Sequence, residues 1–229
     1  MSELRIVARS SEPFEDRRSA GKLLGRYLHD YTAQNAVIAG IPRGGIIIAS
    51  ALAGVIFGDV DIVLARKLRA PQNPELAIGA VAENGTAILD RELVAELGVA
   101  DAYIEAEKVR QMSEIAQRSY LYRRVHQKIS LRGRIAIVTD DGIATGATMR
   151  AALWAARREK PSLLIAAVPV APRETLDIIS PLADITLCIR VPDYFASVGQ
   201  FYNVFSQISD EEVVSLLKEA SMERELTGV

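Results

Sequence analysis

The chain has 229 residues, 49% hydrophobic and 24% charged, which suits one large soluble domain or a domain with a small lobe. Its 27 basic and 29 acidic side chains leave a formal charge of −2, so there is no general attraction to nucleic acid or anionic membrane. The lone cysteine, Cys188, rules out an internal disulfide framework. With no signal-peptide-like N-terminus and no apolar run of about 18 residues, the expected location is cytoplasmic, without membrane contact.

Taken in chain order, the pattern predicts a helix over residues 12–31, with Phe14, Leu23, Leu24, Tyr27, Leu28 and Tyr31 on one face. A short strand at 36–39 runs into Gly40-Ile41-Pro42-Arg43-Gly44-Gly45, and a helix follows to about residue 53. Strands are predicted at 60–68 and 77–83, and Asn84-Gly85 is a two-residue hairpin signal leading into 86–89. Residues 101–127 read as a charged helix in which Val109, Met112, Ala116 and Tyr120 form a stripe able to pack on the body. Strands at 134–139, 163–170 and 185–191 alternate with helices at 149–159 and 173–182. A final helix begins at Ser209, where Glu212 completes a capping box. Continuous apolar strands alternating with helices imply an α/β, mostly parallel sheet covered on both faces.

The run from Ile135 to Thr148 carries the chemistry. An apolar strand ends in Asp140-Asp141, and Gly142-Ile143-Ala144-Thr145-Gly146-Ala147-Thr148 leads into a helix. Glycines let the backbone approach a ligand, threonines add hydroxyl donors, and consecutive amides at a helix start form an anion seat. The carboxylates beside it suit sugar hydroxyls or a metal ion. Phosphate and vicinal diol in one short loop describe a ribose 5-phosphate. Neither a P-loop nor a dinucleotide fingerprint occurs.

Three further features lie along the chain. Arg43 adds a fixed cation to a glycine-rich turn. Arg66-Lys67 ends a strand, where open α/β sheets bind ligands. Residues 192–202 concentrate aromatics in a chain with 6% of them. His29 and His126 lack metal-ligand spacing, and no G-x-S-x-G elbow is present.

The Asp140–Thr148 run resembles the 5-phosphoribosyl-1-pyrophosphate (PRPP) signature of type I phosphoribosyltransferases, and the Pro42–Gly45 turn, the Arg66-Lys67 pair and the Pro192–Tyr202 segment follow that family's order. The resemblance implies a single Rossmann-like domain over 1–229, with a helical insertion or lid at 101–128 and a C-terminal hood at 190–208. It implies that Asp140 and Asp141 grip the ribose hydroxyls and that Ala144, Thr145, Gly146, Ala147 and Thr148 hold the 5-phosphate. Arg43, Gly44, Gly45, Arg66 and Lys67 then take the pyrophosphate, in a turn that in the family often carries a non-proline cis peptide. Phe195 is either the acceptor's stacking platform or a plain core residue. Mg²⁺ is expected to arrive mainly through PRPP, with Asp140 or Asp141 touching it through water.

The implied reaction moves phosphoribose onto a small nitrogenous acceptor and releases pyrophosphate, with no residue standing out as general base. Ala144 occupies the position of the base-handling Asp of hypoxanthine-type enzymes, which argues against 6-oxopurine salvage. The alternatives are a PRPP- or nucleotide-sensing regulator without turnover and a hydrolase using water. Tyr120, Arg123 and Arg124 are candidates for a lid role. A homodimer is left open.

Overall fold

A computed structural model describes residues 2–74 and 76–227. Its main sheet contains β1 (Glu3–Ala8), β2 (Val37–Gly40), β3 (Asp59–Ile62), β7 (Ile135–Thr139), β8 (Leu163–Val170) and β9 (Ile185–Arg190). The order across it is β1-β9-β8-β7-β2-β3, and every pairing is parallel. The smaller sheet is antiparallel, β4 (Ala65–Arg69), β5 (Ala77–Ala82) and β6 (Ala87–Leu89).

Alternate strand residues feed two cores. Ile137, Ile165 and Leu187 meet Leu24 and Leu28 of the α1 region (helix Arg17–Tyr27), Ile48 and Leu52 of α2 (Gly44–Ile56), and Val213 and Leu217 of α7 (Asp210–Thr227). Ala136, Val138, Leu164 and Cys188 face Met149 and Leu153 of α5 (Ala147–Arg158) and Leu176 of α6 (Arg173–Ile179). The expected doubly covered α/β sheet is therefore present. A parallel sheet needs both faces covered, which explains strands apolar on both sides.

Several boundaries differ from the pattern reading. The predicted strand 60–68 is two strands: Val63 still donates to Gly40 of the main sheet, while the Leu64 carbonyl already accepts from Glu83 of the small one. An unbroken apolar run hides a change of partner. The first helix starts at Arg17, capped by Asp16, and Phe14 instead bridges to Tyr202. Tyr27 is exposed. Edge strand β1 and the short α3 (Arg91–Glu96) are additions to the predicted elements. The hairpin at Asn84-Gly85 and the Ser209/Glu212 capping box form as read.

The charged helix α4 (Asp101–Arg123) turns most of the predicted stripe away from the body, with Met112 alone of the four packing on the core. It buries Ile104, Glu107, Gln111, Ile115 and Tyr122, while Val109, Ala116 and Tyr120 face solvent. The polar members of the buried face serve β4: Gln111 accepts from Arg66 Nε at 2.7 Å and Glu107 from the Arg69 amide at 3.2 Å. At the helix end, Arg123 donates to Asp61 at 2.6 Å and makes two 3.1 Å bonds to Glu83. Asp61 also accepts from the Ile62 and Ile129 amides. Burial alone would raise the Asp61 carboxyl, but His126, Arg123 and the Ile129 amide hold it below its ordinary value.

Arg123 thus ties α4 to both sheets, and removing it leaves two carboxylates uncompensated. Arg123→Met is expected to cost roughly 3–5 kcal/mol, the usual penalty for breaking a buried pair. Urea unfolding followed by circular dichroism measures it, and a loss below about 1 kcal/mol would reduce the network to a surface ion pair.

Candidate active site

The central strands β2 and β7 lie side by side with Gly40 opposite Thr139, so the segments leaving their carboxyl ends meet. One is Ile41-Pro42-Arg43-Gly44, with a cis Pro42-Arg43 bond; the other is Asp140-Asp141. They interlock. A Cβ on Gly44 would lie 2.0 Å from Asp141 Oδ2, and one on Gly45 2.8 Å from the Thr139 carbonyl oxygen. Glycine is required here because carboxylate and backbone fill the side-chain space. The Gly45 amide is given to Ile41 O at 3.0 Å, which leaves the Gly44 amide, of the two, without an internal acceptor. Arg43 is partly buried, and its side chain has no ion pair or hydrogen bond among the described residues.

The two carboxylates are held close in poor solvent. Burial, followed by the charge of Asp141, pushes the Asp140 carboxyl well above its usual range. Burial also raises Asp141, against the pull of Arg17. Arg17 Nε donates to Asp141 Oδ2 at 2.7 Å, with side chains 8% and 15% exposed. Its Nη1 donates to the Ser206 carbonyl at 2.9 Å, and its guanidinium lies 3.8 Å from the Phe205 ring centroid. Tyr202 donates its hydroxyl to the Asp141 carbonyl at 2.5 Å and stacks on Phe205. Arg17 was missed by sequence reasoning. Its one local signal is a cation at the first position of a helix, against the macrodipole, which needs an anion elsewhere.

Past the acids, the loop of residues 144–148 is open on one side and clamped on the other. Gly142 packs against Val170 and Val198, and the Ala144 carbonyl accepts from Thr175 Oγ1 at 2.6 Å. Ala144, Thr145 and Thr148 are exposed, and neither threonine hydroxyl has an internal partner among the described residues. Gly146, at φ +78°, caps α5 without a side-chain bond, so the amides of the first turn stay available. This has the form of an anion seat.

Across from it, a hollow of about 200 Å³ is lined by Pro42, Thr148 and the β4 cations Arg66, Lys67 and Arg69. Of the candidate residues, Arg66, Lys67 and Thr148 line this cavity beside Pro42, while Arg43, Gly44, Gly45, the two acids and residues 144–147 are not part of its lining. Arg66 is meanwhile held by Gln111 and by Glu114, 2.6 Å from its Nη2. Phe195 stands apart: it leans on Phe201 at 5.1 Å and lines a separate hollow of about 330 Å³ that includes neither acid nor any of residues 144–148. The hood aromatics in contact with the Asp141–Arg17 pair are Tyr202 and Phe205.

Among the described residues, no three His, Cys, Asp or Glu side chains gather as a metal cage, and no helix is long and apolar enough to cross a membrane. His126 is buried beside Asp61, and Cys188 is buried with its thiol pushed up to about 12.

Comparison with known proteins gives consistent results. The sequence profile of the phosphoribosyl transferase domain matches residues 15–202. A curated Mycobacterium tuberculosis protein (strain H37Rv), provisionally named a phosphoribosyl transferase, is 38% identical over 207 residues, covering 90% of this chain and 47% of its own length. The chain thus spans about half the length of the curated relatives it matches. The crystal structure of a Thermus thermophilus protein, TT1426, is 40% identical with a TM-score of 0.83, over 90% of this chain and 98% of that one.

The raised carboxyls carry a stability consequence. Folding brings Asp140 from water into a site that disfavours its charge, which costs stability above the raised folded value and costs nothing once both states are protonated. Asp140→Asn is expected to raise the thermal midpoint at neutral pH, the gain shrinking as pH falls toward the ordinary carboxylate range near about 4. Thermal unfolding across that range measures it; an unchanged or lower midpoint at neutral pH would contradict the like-charge account.

Proposed function

We propose that this chain, which belongs to the phosphoribosyl transferase domain family, binds PRPP and transfers its phosphoribosyl group to a small nitrogenous acceptor with release of pyrophosphate. The observation that carries the reading is the open, uncapped loop of residues 144–148 directly after two buried, mutually repelling carboxylates. Ribose hydroxyls are donors of the kind those acids lack, and a 5-phosphate suits the vacant amides and the Thr145 and Thr148 hydroxyls.

In this reading residues 144–148 anchor the phosphate, Asp140 and Asp141 orient the ribose, and the reacting C1 faces the cationic hollow. The acceptor nitrogen's lone pair forms a bond to C1 as the C1–oxygen bond breaks, and pyrophosphate leaves with that electron pair. The acceptor's surplus proton passes to solvent. Positive charge grows on the sugar ring while negative charge collects on the leaving oxygen. Arg43, the Gly44 amide, Arg66 and Lys67 stabilise that oxygen, and Gly45 provides the close approach. Asp140, whose carboxyl lacks a cation partner, fits a water-bridged contact with Mg²⁺; the ion, when bound with PRPP, supplies charge neutralisation of the diphosphate.

Asp141 must share or exchange Arg17 when the sugar arrives, since that guanidinium already occupies one of its oxygens. The acceptor sits toward the hood, where Phe205 is exposed beside the buried Tyr202 and Phe195 lines the neighbouring hollow. A buried, unreactive cysteine and the acidic balance support a cytoplasmic setting without nucleic-acid partners.

Pyrophosphate release from PRPP and Mg²⁺, assayed with purines, pyrimidines, pyridine carboxylates and no acceptor, tests the reading. Release that depends on an acceptor is the expected outcome. Tight PRPP binding without release would make the chain a sensor, and release without any acceptor a hydrolase. Thr145→Val is expected to weaken PRPP binding by about 1–2 kcal/mol, one hydrogen bond to a charged group, and calorimetric titration reads it. Unchanged affinity would place the phosphate elsewhere.

A further inference from the structure

The cationic hollow has a wall that the signature motifs do not account for. Besides the β4 side chains, Ile115 and Arg118 of α4 line it, so four cations and no carboxylate face the space. Arg118 is partly buried and makes no hydrogen bond or ion pair among the described residues. Its charge bears on Arg66, as does that of Arg69. It also bears on the Tyr122 hydroxyl, which Arg43 of the glycine-rich turn reaches as well. The Arg69 Nε is buried with no partner. Three guanidiniums are thus gathered around a cavity whose neighbouring carboxylates lie outside its lining: Glu114, half-exposed, pairs with Arg66, and Glu107 pairs with Arg110. Such crowding of like charge is unfavourable unless an anion offsets it.

We propose that Arg118 is an anion-binding residue of this hollow, which makes α4 a fixed wall of the diphosphate site and not a lid. The inference rests on the phosphoribosyl reading above and extends it to a helix outside the family signature. The ligand class is a diphosphate group, either on PRPP or as the released product. The other α4 candidates are engaged elsewhere: Arg123 holds Asp61 and Glu83, and Arg124 stacks over the exposed ring of Tyr120. The opposite end of the helix is held too, where Tyr103 donates to the Arg69 carbonyl at 3.1 Å. A helix pinned at both ends presents Arg118 in one place, and preorganised charge is more effective than charge that must be brought in.

The test is calorimetric titration of the full chain with inorganic pyrophosphate, alongside initial rates with PRPP. Arg118→Gln is expected to bind pyrophosphate about tenfold or more weakly, since a charged donor is lost. It should also lower kcat at saturating PRPP and flatten the salt dependence of binding. Arg118→Lys, which keeps the charge without the fork, should fall between, and Arg124→Gln should match wild type. Because Arg118 has no structural partner among the described residues, Arg118→Gln should melt no lower than wild type; a large drop would assign it a structural role and overturn the proposal. Wild-type pyrophosphate affinity in a folded Arg118→Gln would overturn it as well, while leaving the phosphoribosyl reading in place. A wild-type chain that binds neither PRPP nor pyrophosphate removes both.

Discussion

The structure depends on two adjacent carboxylates kept at the buried carboxyl end of the central strand. Water would separate and solvate such a pair; here burial raises both, and the charge of Asp141 raises Asp140 further. The surroundings limit that penalty without removing it. Arg17 neutralises one partner from a distant helix, the Asp141 amide donates to Asp140 at 2.9 Å, and the glycine turn leaves side-chain space for the rest. Only the first of these is a charge. The remaining deficit is what a ligand bearing hydroxyl donors or a cation would relieve, so instability of the empty site and affinity of the filled one share an origin.

The same constraint organises what lies around it. Cations on β4 do not share a cavity lining with the acids. They instead face a separate hollow across the Thr148 end of the signature loop. The candidate site therefore divides into an acidic floor and a basic wall, which suits the proposed sugar with its charged leaving group. The wall is held by packing distant from the chemistry: β4 and β5 rest on α5 through Ala65, Ala80 and Ala151, small residues that permit close approach. α4 closes the far side, anchored by Gln111 and Arg123.

What was legible in the sequence was local. The Ile135–Thr148 run could be read because strand, acids, loop and helix are contiguous; Asn84-Gly85 and Ser209/Glu212 are likewise decided within four residues. What was not legible depends on contacts across the fold. Arg17 meets Asp141 from 124 positions away, and its one local signal, a cation at a helix start, does not name the partner. The split at Val63–Leu64 changes sheet without changing hydropathy. The α4 stripe is misleading because periodicity favours apolar residues, whereas the buried face carries Glu107 and Gln111, which find their partners on β4.

This difference also explains why the donor half of the site is easier to name than the acceptor half. The proposed phosphate loop and the glycine turn consist of backbone amides, tight turns and adjacent acids, features that tolerate few residue types and so leave a strong imprint on sequence. In the proposed reading the acceptor side is the 190–208 hood, whose rings are set by tertiary packing: Phe14 on Tyr202, Tyr202 on Phe205, Phe205 under Arg17. Aromatic residues serve equally as core and as platform, so their number in a segment does not separate the two uses. Phe195 shows this, drawing attention by its motif while leaning on Phe201. Phe205, outside that motif, lies against the arginine that holds the second acid. If the proposed reading holds, an acceptor can be exchanged by repacking the hood while the PRPP half stays unchanged, the two being joined by Arg17, Tyr202 and the packing of Gly142 on Val198.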